Sequence, residues 1–457
     1  MMAIFTANSL NEAMKPLTII SKILGILPLI FQPPLLVESS GYPQITKYCS
    51  KAWIVNALYA LVIVCVLLYQ GYLILTSKLK NLYKEFKCRC LLTDEISMIL
   101  LFLCTSVALM QGLLSKRNTW NEVMRRIQCM DSKFQTYVSR FSYDKIYAQI
   151  LFQLAGVLLI FGVLAYLDYQ AFANILSFNL LFAGFLLNFM RMIMDLQFIN
   201  LNLALRQTLL TFNRHVITAF GFNSDKDLCR TLLEGNYNIE EENSNVFDRF
   251  YAFLFKILWN ESTNSQQYLK NDKIKDFKLR RRFHNIHSIV CDERIRKFRI
   301  DHVEICSIQK TINDYYQMYI LLEFLSTGAE TVLILYIGTL NGTKYRIQMI
   351  RCFAWLALNI LKFVFVTGSC GAVINVDKTF SIIISKLLNI SELLQPRVKT
   401  ELYKFSQQLL YTKIKFTAKH FFSIDTALLG GILKTVIIYV VILLQSQSIY
   451  EKKGVSN

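Results

Sequence analysis

Long apolar runs, each about as long as a membrane span, dominate the pattern of hydrophobic and polar positions. Crossing roughly 30 Å of hydrocarbon takes about 20 apolar residues in a helix. The runs predict seven spanning helices, at Trp53–Leu75, Ile96–Leu114, Ile146–Leu167, Ile175–Ile199, Met318–Thr339, Ile347–Thr367 and Ala427–Gln445. We therefore expect a polytopic, all-α membrane protein.

A shorter apolar run precedes the first span. The stretch "IISKILGILPLIF" (Ile19–Phe31) contains Lys22 and is interrupted by Gly25 and Pro28. It is too short to cross a bilayer, which favours an interfacial or re-entrant amphipathic helix.

Helical periodicity continues outside the spans. Apolar residues recur at intervals of three and four in Leu201–Phe220, Leu279–Asp314 and Val373–Ile424. These segments are predicted to be helices extending from the fourth, fifth and sixth spans, whereas residues 223–277 are polar and predicted to be flexible. Together the helical extensions would offer a surface for oligomerisation.

The spans and extensions divide the chain into seven regions. These are an N-terminal region with the interfacial helix (1–52), spans one to four (53–199), a large loop (200–317), spans five and six (318–371), a helical link (372–426), the last helix (427–447) and a tail (448–457).

Composition and charge agree with a membrane protein and orient it. Of the 457 residues 54% are hydrophobic and 18% charged, whereas soluble domains carry about 25% charged residues. The N-terminal region and loops 115–145, 200–317 and 368–426 together hold 37 Lys and Arg residues, whereas the loops on the other side and the C-terminal tail hold 9. The positive-inside rule then predicts a cytoplasmic N-terminus and an extracellular C-terminus. The net charge of +18 is explained by these loops, so no nucleic-acid partner is expected.

Motifs for catalysis are absent from the sequence. It has no nucleophile elbow, P-loop, dinucleotide fingerprint or metalloprotease motif, so neither enzymatic activity nor a cofactor or metal is expected. A G-protein-coupled receptor, another seven-helix class, would need an extracellular N-terminus. A secondary transporter would show an internal repeat.

The last span carries the most specific pattern. It reads "DTALLGGILKTVIIYVVILLQSQ" (Asp425–Gln447), in which Tyr439 is followed by five aliphatic residues and then Gln445. This resembles the last helix of the insect gustatory receptors, a family with seven spans and an intracellular N-terminus. The chain departs from that motif at Ile438, where the family has Thr, and at Ser446, where it has Phe.

The resemblance implies a tetrameric, tastant-gated, non-selective cation channel in the plasma membrane of chemosensory neurons. Four copies of the last helix would line a central pore, and the other six spans would hold a pocket for a sugar or bitter compound. The tetramer would contain either this chain alone or related receptors as well. An odorant receptor of the same superfamily is the alternative.

The last helix also has a polar stripe suited to a pore. Lys434, Ile438, Val441 and Gln445 are spaced four, three and four, so they share one face, and Ser446 follows at the mouth. Tyr439 lies off that stripe and is predicted to pack against other spans. Because a ring of lysines would oppose cations, Lys434 is expected to turn towards a carboxylate such as Asp425.

Polar and aromatic residues in the outer halves of the spans are the candidate ligand site, because ionisable groups within a membrane are costly and usually functional. The predicted site residues are Tyr166, Asp168, Asn179, Glu330, Tyr336, Gln348, Arg351, Trp355 and Asn359. A structural pair between Arg351 and Glu330 is the alternative. Arg191 and Asp195 are predicted to form an internal ion pair, with Glu323 and Lys362 in a packing or gating role.

Overall fold

The computed structural model describes residues 7, 9–27, 54–55, 58–59, 61–66, 69, 72, 91–114, 119–135, 143–172, 178–220, 292–340, 346–389 and 396–454, and the structural statements below concern these residues. Eleven of the 23 residues of the first predicted span and the whole predicted flexible segment 223–277 lie outside them. The described residues of the first span are helical.

Ten helices and one two-stranded ribbon are described with defined bounds. They are α1 (Leu10–Ala13), α2 (Lys15–Ile23), α3 (Leu91–Leu114), α4 (Thr119–Gln135), α5 (Tyr143–Phe172), α6 (Phe178–Ala219), α7 (Asp292–Leu340), α8 (Arg346–Asn389), α9 (Pro396–Tyr411), β1 (Thr417–Ala418), β2 (Phe422–Ser423) and α10 (Thr426–Gly454). The all-α class predicted from the sequence is confirmed.

The predicted spans fall on these helices. Stretches long and apolar enough to cross a membrane occur in α5, α7 and α8, at Ile146–Ala171, Asp292–Tyr336 and Met349–Leu388. Shorter apolar stretches, Ile99–Gln111 and Ala427–Ile442, lie in α3 and α10. The predicted extensions of the fourth and sixth spans are confirmed, because α6 and α8 run on without a break. The total of seven spans and the orientation stay predictions.

Helix α6 lies at the centre of the bundle. It contacts α2, α3, α4, α5, α7 and α8. Every residue from Arg191 to Asn200 is buried, which explains why this part of the helix has no polar face: all of its sides meet other helices. The helix therefore positions side chains from several neighbours at once.

A second packed unit consists of α4, α9 and one end of each of the three long helices. These ends are the C-terminal half of α6, the N-terminal half of α7 and the C-terminal part of α8. We call this unit the helical domain (119–135, 201–220, 292–317, 372–389 and 396–411). Its core is aromatic: the Phe212 ring lies 5.1 Å from that of Phe380 and 5.4 Å from that of Phe134. Phe405 completes it, at 5.6 Å from Phe380. Burying such rings stabilises the domain, since each covers about 150–250 Å².

The short N-terminal helices pack onto this framework. Leu17 and Ser21 of α2 are fully buried, and the helix contacts α5 and α6. Ile19 and Ile23, on the other side, are 47% and 63% exposed, so α2 is amphipathic. It begins earlier than the predicted helix Ile19–Phe31, and residues 28–31 of that prediction lie outside the described residues. It ends at Ile23, just before Gly25, whose φ of +72° suits glycine.

The link after α9 differs from its prediction. Residues 412–425 were expected to be helical, but they form an extended segment and the β1–β2 ribbon. Lys419 and His420 have φ values of 50° and 63°, and the Phe421 amide donates to the Ala418 carbonyl, as in a type I′ turn. Because Ala418 pairs with Phe422, the loop contains three residues. The helical expectation for this part of the link is therefore wrong. The turn was not recognisable in the sequence, because such turns usually carry Asn-Gly and this one carries Lys-His.

Candidate functional site

Three of the predicted site residues meet where α5 ends and α8 begins. The Arg351 guanidinium lies 3.1 Å from the Asp168 carboxylate. The indole N–H of Trp355 donates to the same carboxylate at 3.3 Å. Arg351 and Trp355 are one helical turn apart, so both reach a single partner on α5. We call these three residues the outer cluster.

An aromatic wall adjoins the outer cluster. The Phe185 ring lies 6.1 Å from that of Trp355, and Phe161 lies between Phe185 and Phe189, at 6.5 and 5.6 Å. Polar groups beside a wall of rings are typical of sites for small organic molecules. The sequence analysis missed these rings, because nothing in the sequence distinguishes them from the other phenylalanines among 33.

The proposed pair of Arg351 with Glu330 does not form. The contact of Asn359 with Thr331 fixes the register between α7 and α8. In this register Glu330 lies about two turns deeper than Arg351, at about 1.5 Å of rise per residue. The two side chains are thus at different levels, and Arg351 finds Asp168 instead.

Glu330 belongs to a buried charged group centred on Arg191, which is fully buried. Its guanidinium lies 2.7 Å from Glu330 and 3.0 Å from Glu323. It also donates to the hydroxyls of Ser326 and Thr327, at 2.8 and 3.4 Å. Four residues of one face of α7 therefore bind one arginine of α6.

Two further ionisable residues close this group into a ring. The Lys362 ammonium lies 3.0 Å from Glu323 and 3.8 Å from Asp195. Asp195 accepts a hydrogen bond of 3.0 Å from the Tyr319 hydroxyl. The predicted ion pair between Arg191 and Asp195 does not form directly, because Glu323 and Lys362 lie between the two residues in the chain of contacts. We call these residues the buried ring (Arg191, Asp195, Tyr319, Glu323, Glu330 and Lys362).

The remaining candidate ligand residues are dispersed. Asn359 and Tyr336 are buried in the bundle, whereas Tyr166 is 63% exposed and lies outside the outer cluster. The side chains of Asn179 and Gln348 lie outside the described set.

Helix α10 touches the rest of the chain along one stripe. Leu429 and Val436 are its buried residues among the described side chains, and its neighbours are α7 and α8. Ile438 and Val441 are 58% and 44% exposed, and Lys434 and Gln445 are exposed too. At about 100° per residue these four lie some 140–180° around the helix from Val436. The predicted pore stripe thus faces away from its own subunit.

Two expectations for α10 are wrong. Tyr439 is 56% exposed and does not pack into the bundle of its own chain. The Asp425 carboxylate accepts the Leu428 amide at 3.1 Å and so caps the start of the helix. Lys434 lies nine residues further on, about 13 Å along the axis, which is beyond the reach of that carboxylate. The Ser446 side chain lies outside the described set.

A row of polar side chains on α7 holds the extended segment that leads to α10. The Gln309 amide donates to the Lys415 carbonyl at 2.7 Å. One turn later, the Asn313 carbonyl accepts the Thr417 amide at 2.8 Å. One turn of a helix rises by about 5.4 Å, which is close to the roughly 6.6 Å between residues two apart on an extended strand. Side chains on successive turns of α7 can therefore hydrogen-bond to every second residue of the segment.

Helix α8 also hydrogen-bonds to the same segment. Asp377 accepts the Ile414 amide at 3.3 Å, and its other oxygen lies 3.0 Å from the ring of buried His302 on α7. The segment 412–417 is thus fixed to both α7 and α8. The sequence analysis missed this arrangement because it took the link as helical.

Comparisons with known proteins agree with this fold. Residues 260–450 match the family model described as 7tm chemosensory receptor. No curated protein sequence matches the chain. The structure resembles that of the insect olfactory receptor OR5 from Machilis hrabei in complex with eugenol, with a TM-score of 0.53, 13% identity and coverage of 96% of this chain and 98% of that one.

A second structure, of the same receptor described without eugenol, gives a TM-score of 0.51 with the same identity and coverage. The family is one of receptors rather than enzymes, as the sequence predicted. Residues 260–450 thus resemble the chemosensory receptor family, and the fold resembles that of an insect olfactory receptor.

Proposed function

We propose that this chain is a gustatory receptor and acts as a subunit of a tastant-gated, non-selective cation channel. Four subunits, of this chain alone or with related receptors, surround a pore lined by α10. The N-terminus and the helical domain lie in the cytoplasm of a chemosensory neuron, and the C-terminus lies outside its plasma membrane.

The exposed stripe of α10 carries the channel proposal. A helix that packs on one stripe and presents Lys434, Ile438, Val441 and Gln445 on the opposite side is unsuited to lipid, because the ammonium and the amide would be desolvated there. Around a central axis, the same side would form an apolar constriction below a polar mouth. Apolar rings gate by dewetting, and amides replace part of an ion's hydration shell.

The outer cluster supports binding of a small molecule. Asp168, Arg351 and Trp355 converge beside the Phe185 ring, so a ligand there meets both charged groups and aromatic faces. A hydroxylated or heterocyclic compound, such as a sugar or a bitter substance, suits this chemistry. A ligand that displaces Arg351 from Asp168 would shift α8 relative to α5.

An odorant receptor is the second candidate, because the solved structures similar to this chain are of an olfactory receptor. The pattern of Tyr439, five aliphatic residues and Gln445 favours a taste receptor. Calcium influx measured against matched panels of soluble tastants and volatile odorants separates the two.

The decisive experiment measures reversal potential in cells that express this chain without added G protein. Gln445→Glu places a carboxylate from each subunit at the mouth and is expected to favour divalent cations, whereas Gln445→Lys suppresses cation current. Thr435→Glu is the control, because it adds the same charge to α10 at a position outside the proposed pore stripe, and it is expected to change the selectivity less than Gln445→Glu. If both variants at position 445 keep the selectivity and unitary conductance of the parent, α10 does not line the pore.

A further inference from the structure

A basic and aromatic segment directly precedes α10. Residues 411–424, "YTKIKFTAKHFFSI", contain three Lys, one His, three Phe and one Tyr, and no acidic residue. The interior of the segment follows strand alternation. Ile414, Phe416 and Ala418 are buried at 3%, 1% and 0% exposure, whereas Lys413, Lys415 and Lys419 are exposed.

The lysines are presented by a rigid support. The carbonyl of Lys415 is held by α7, and the amide of Ile414 is held by α8. Side chains two apart on a strand lie about 6.6 Å apart on one face. That spacing lets Lys413 and Lys415 contact neighbouring phosphate groups of one headgroup, and neither has an ion-pair partner in the described part of the chain.

The position of the ribbon puts it at the edge of the membrane. The Phe422 ring lies 5.8 Å from that of Phe324, within the predicted fifth span, and the apolar stretch of α10 begins at Ala427. Tyr411 and Phe421 are 88% and 76% exposed. Exposed rings and lysines at this level are typical of residues that enter the headgroup layer.

We propose that Lys413, Lys415 and Lys419 bind the headgroup of an anionic, polyphosphorylated lipid of the cytoplasmic leaflet, with Phe421 inserted beside its acyl chains. Each lysine near an anionic leaflet adds electrostatic attraction. Because the other side of the segment is fixed to α7 and α8, the lipid would hold the point at which α10 enters the membrane. The assignment to the cytoplasmic leaflet rests on the proposed orientation, and the effect on opening rests on the proposed channel function.

The first test measures binding to the purified full chain in detergent, with fluorescent short-chain phosphatidylinositol bisphosphate as the probe. The triple variant Lys413→Gln, Lys415→Gln, Lys419→Gln is expected to weaken binding about tenfold or more. The control triple, Lys297→Gln, Arg397→Gln, Lys399→Gln, removes the same charge from exposed residues of the helical domain and is expected to bind like the parent. Equal loss in both triples, or loss in neither, overturns the proposal.

Two further arms define the ligand and the consequence. Soluble inositol trisphosphate is expected to compete poorly; competition equal to that of the lipid would show a site for free phosphates and overturn the membrane assignment. In inside-out patches, polylysine, which sequesters anionic lipid, is expected to reduce the current of the parent more than that of the first triple. Equal reduction overturns the effect on opening. If the parent gives no current while the binding results hold, the channel proposal fails and the lipid site remains.

Discussion

Helices α6 and α10 differ in how much of their surface is buried within the chain. Ten consecutive residues of α6, Arg191–Asn200, are buried, and its polar side chains find partners on α5, α7 and α8. Helix α10 buries one stripe, and large apolar residues on its other sides, Leu433, Ile437, Ile438, Tyr439, Val441 and Ile442, are 44–58% exposed.

This difference in burial predicts that substitutions in α6 affect the folding of the chain, whereas substitutions on the exposed faces of α10 affect assembly. Charged groups of α6 are satisfied inside the chain, so changing them alters the folding of each copy. The exposed faces of α10 contribute little to that folding and are available to lipid and to other subunits. The predictions below rank substitutions accordingly.

Breaking the buried ring is expected to have the largest effect. Arg191→Met leaves Glu330 without its cation and Glu323 with Lys362 alone in a buried place, which costs about 3–5 kcal/mol. We expect little folded receptor, measured as the monodisperse fraction and the melting temperature in detergent.

Lys434→Met is the matched control, because it removes a cation from an exposed position of α10. It should melt within a few degrees of the parent. Equal destabilisation by the two substitutions would contradict the contrast between the helices.

The next largest effect depends on pH. Burial raises the pKa of Asp131 from 3.8 to about 6, and the hydroxyls of Thr208 and Tyr143 donate to its two oxygens. Between pH 3.8 and about 6 the folded chain holds a proton that the unfolded chain has lost, so this residue's contribution to stability falls as pH rises and the full penalty applies above about 6.

Asp131→Asn removes that penalty. Since one pKa unit corresponds to about 1.4 kcal/mol, the variant should be more stable than the parent above pH 6 by up to about 3 kcal/mol, and the gain should vanish towards pH 4. Melting curves across this range measure it. A gain that is independent of pH would show that burial does not raise the pKa of Asp131 in the fold.

A smaller effect is expected at the polar row of α7. Asn313→Leu removes the acceptor of the Thr417 amide, and loss of such a bond costs about 1–3 kcal/mol. The change should be local: amide exchange should rise in residues 412–418 and stay constant in α6. Asp314→Leu, at the exposed neighbouring position, is the control.

The smallest effect on the subunit is expected at Tyr439. Tyr439→Ala should change the free energy of unfolding of the dissociated subunit by about 0.5 kcal/mol or less, as is usual for exposed positions. Val436→Ala, on the buried stripe of the same helix, should cost more. Any loss at Tyr439 should instead appear in the yield of assembled oligomer, measured by size-exclusion chromatography.

Much of the fold was predictable because apolar length and helical spacing are local properties. The sequence located the described spans and the continuation of α6 and α8. It also included Asp168, Arg351 and Trp355 in the candidate site, since charged residues in apolar helices are rare and conspicuous.

Partners were not predictable, because they depend on helix register. Arg191 appeared to suit Asp195 at a spacing of four, but the fold turns it towards α7. The ribbon was missed because its turn uses Lys419 and His420, neither of which signals a hairpin. Tyr439 was misplaced because one chain alone does not reveal which apolar face belongs to a neighbouring copy.

Helix α7 joins the buried ring to the polar row without interruption, and its length has a mechanical consequence. Its 49 residues span about 73 Å. A rigid rod of that length, tilted by about 2° around its centre, moves each end by about 1.3 Å in opposite directions. Gln309 and Asn313 lie within about 11 Å of that centre, so the same tilt moves them by less than about 0.4 Å. The attachment of the segment before α10 is therefore close to the fulcrum and keeps its contacts while the ends of α7 move.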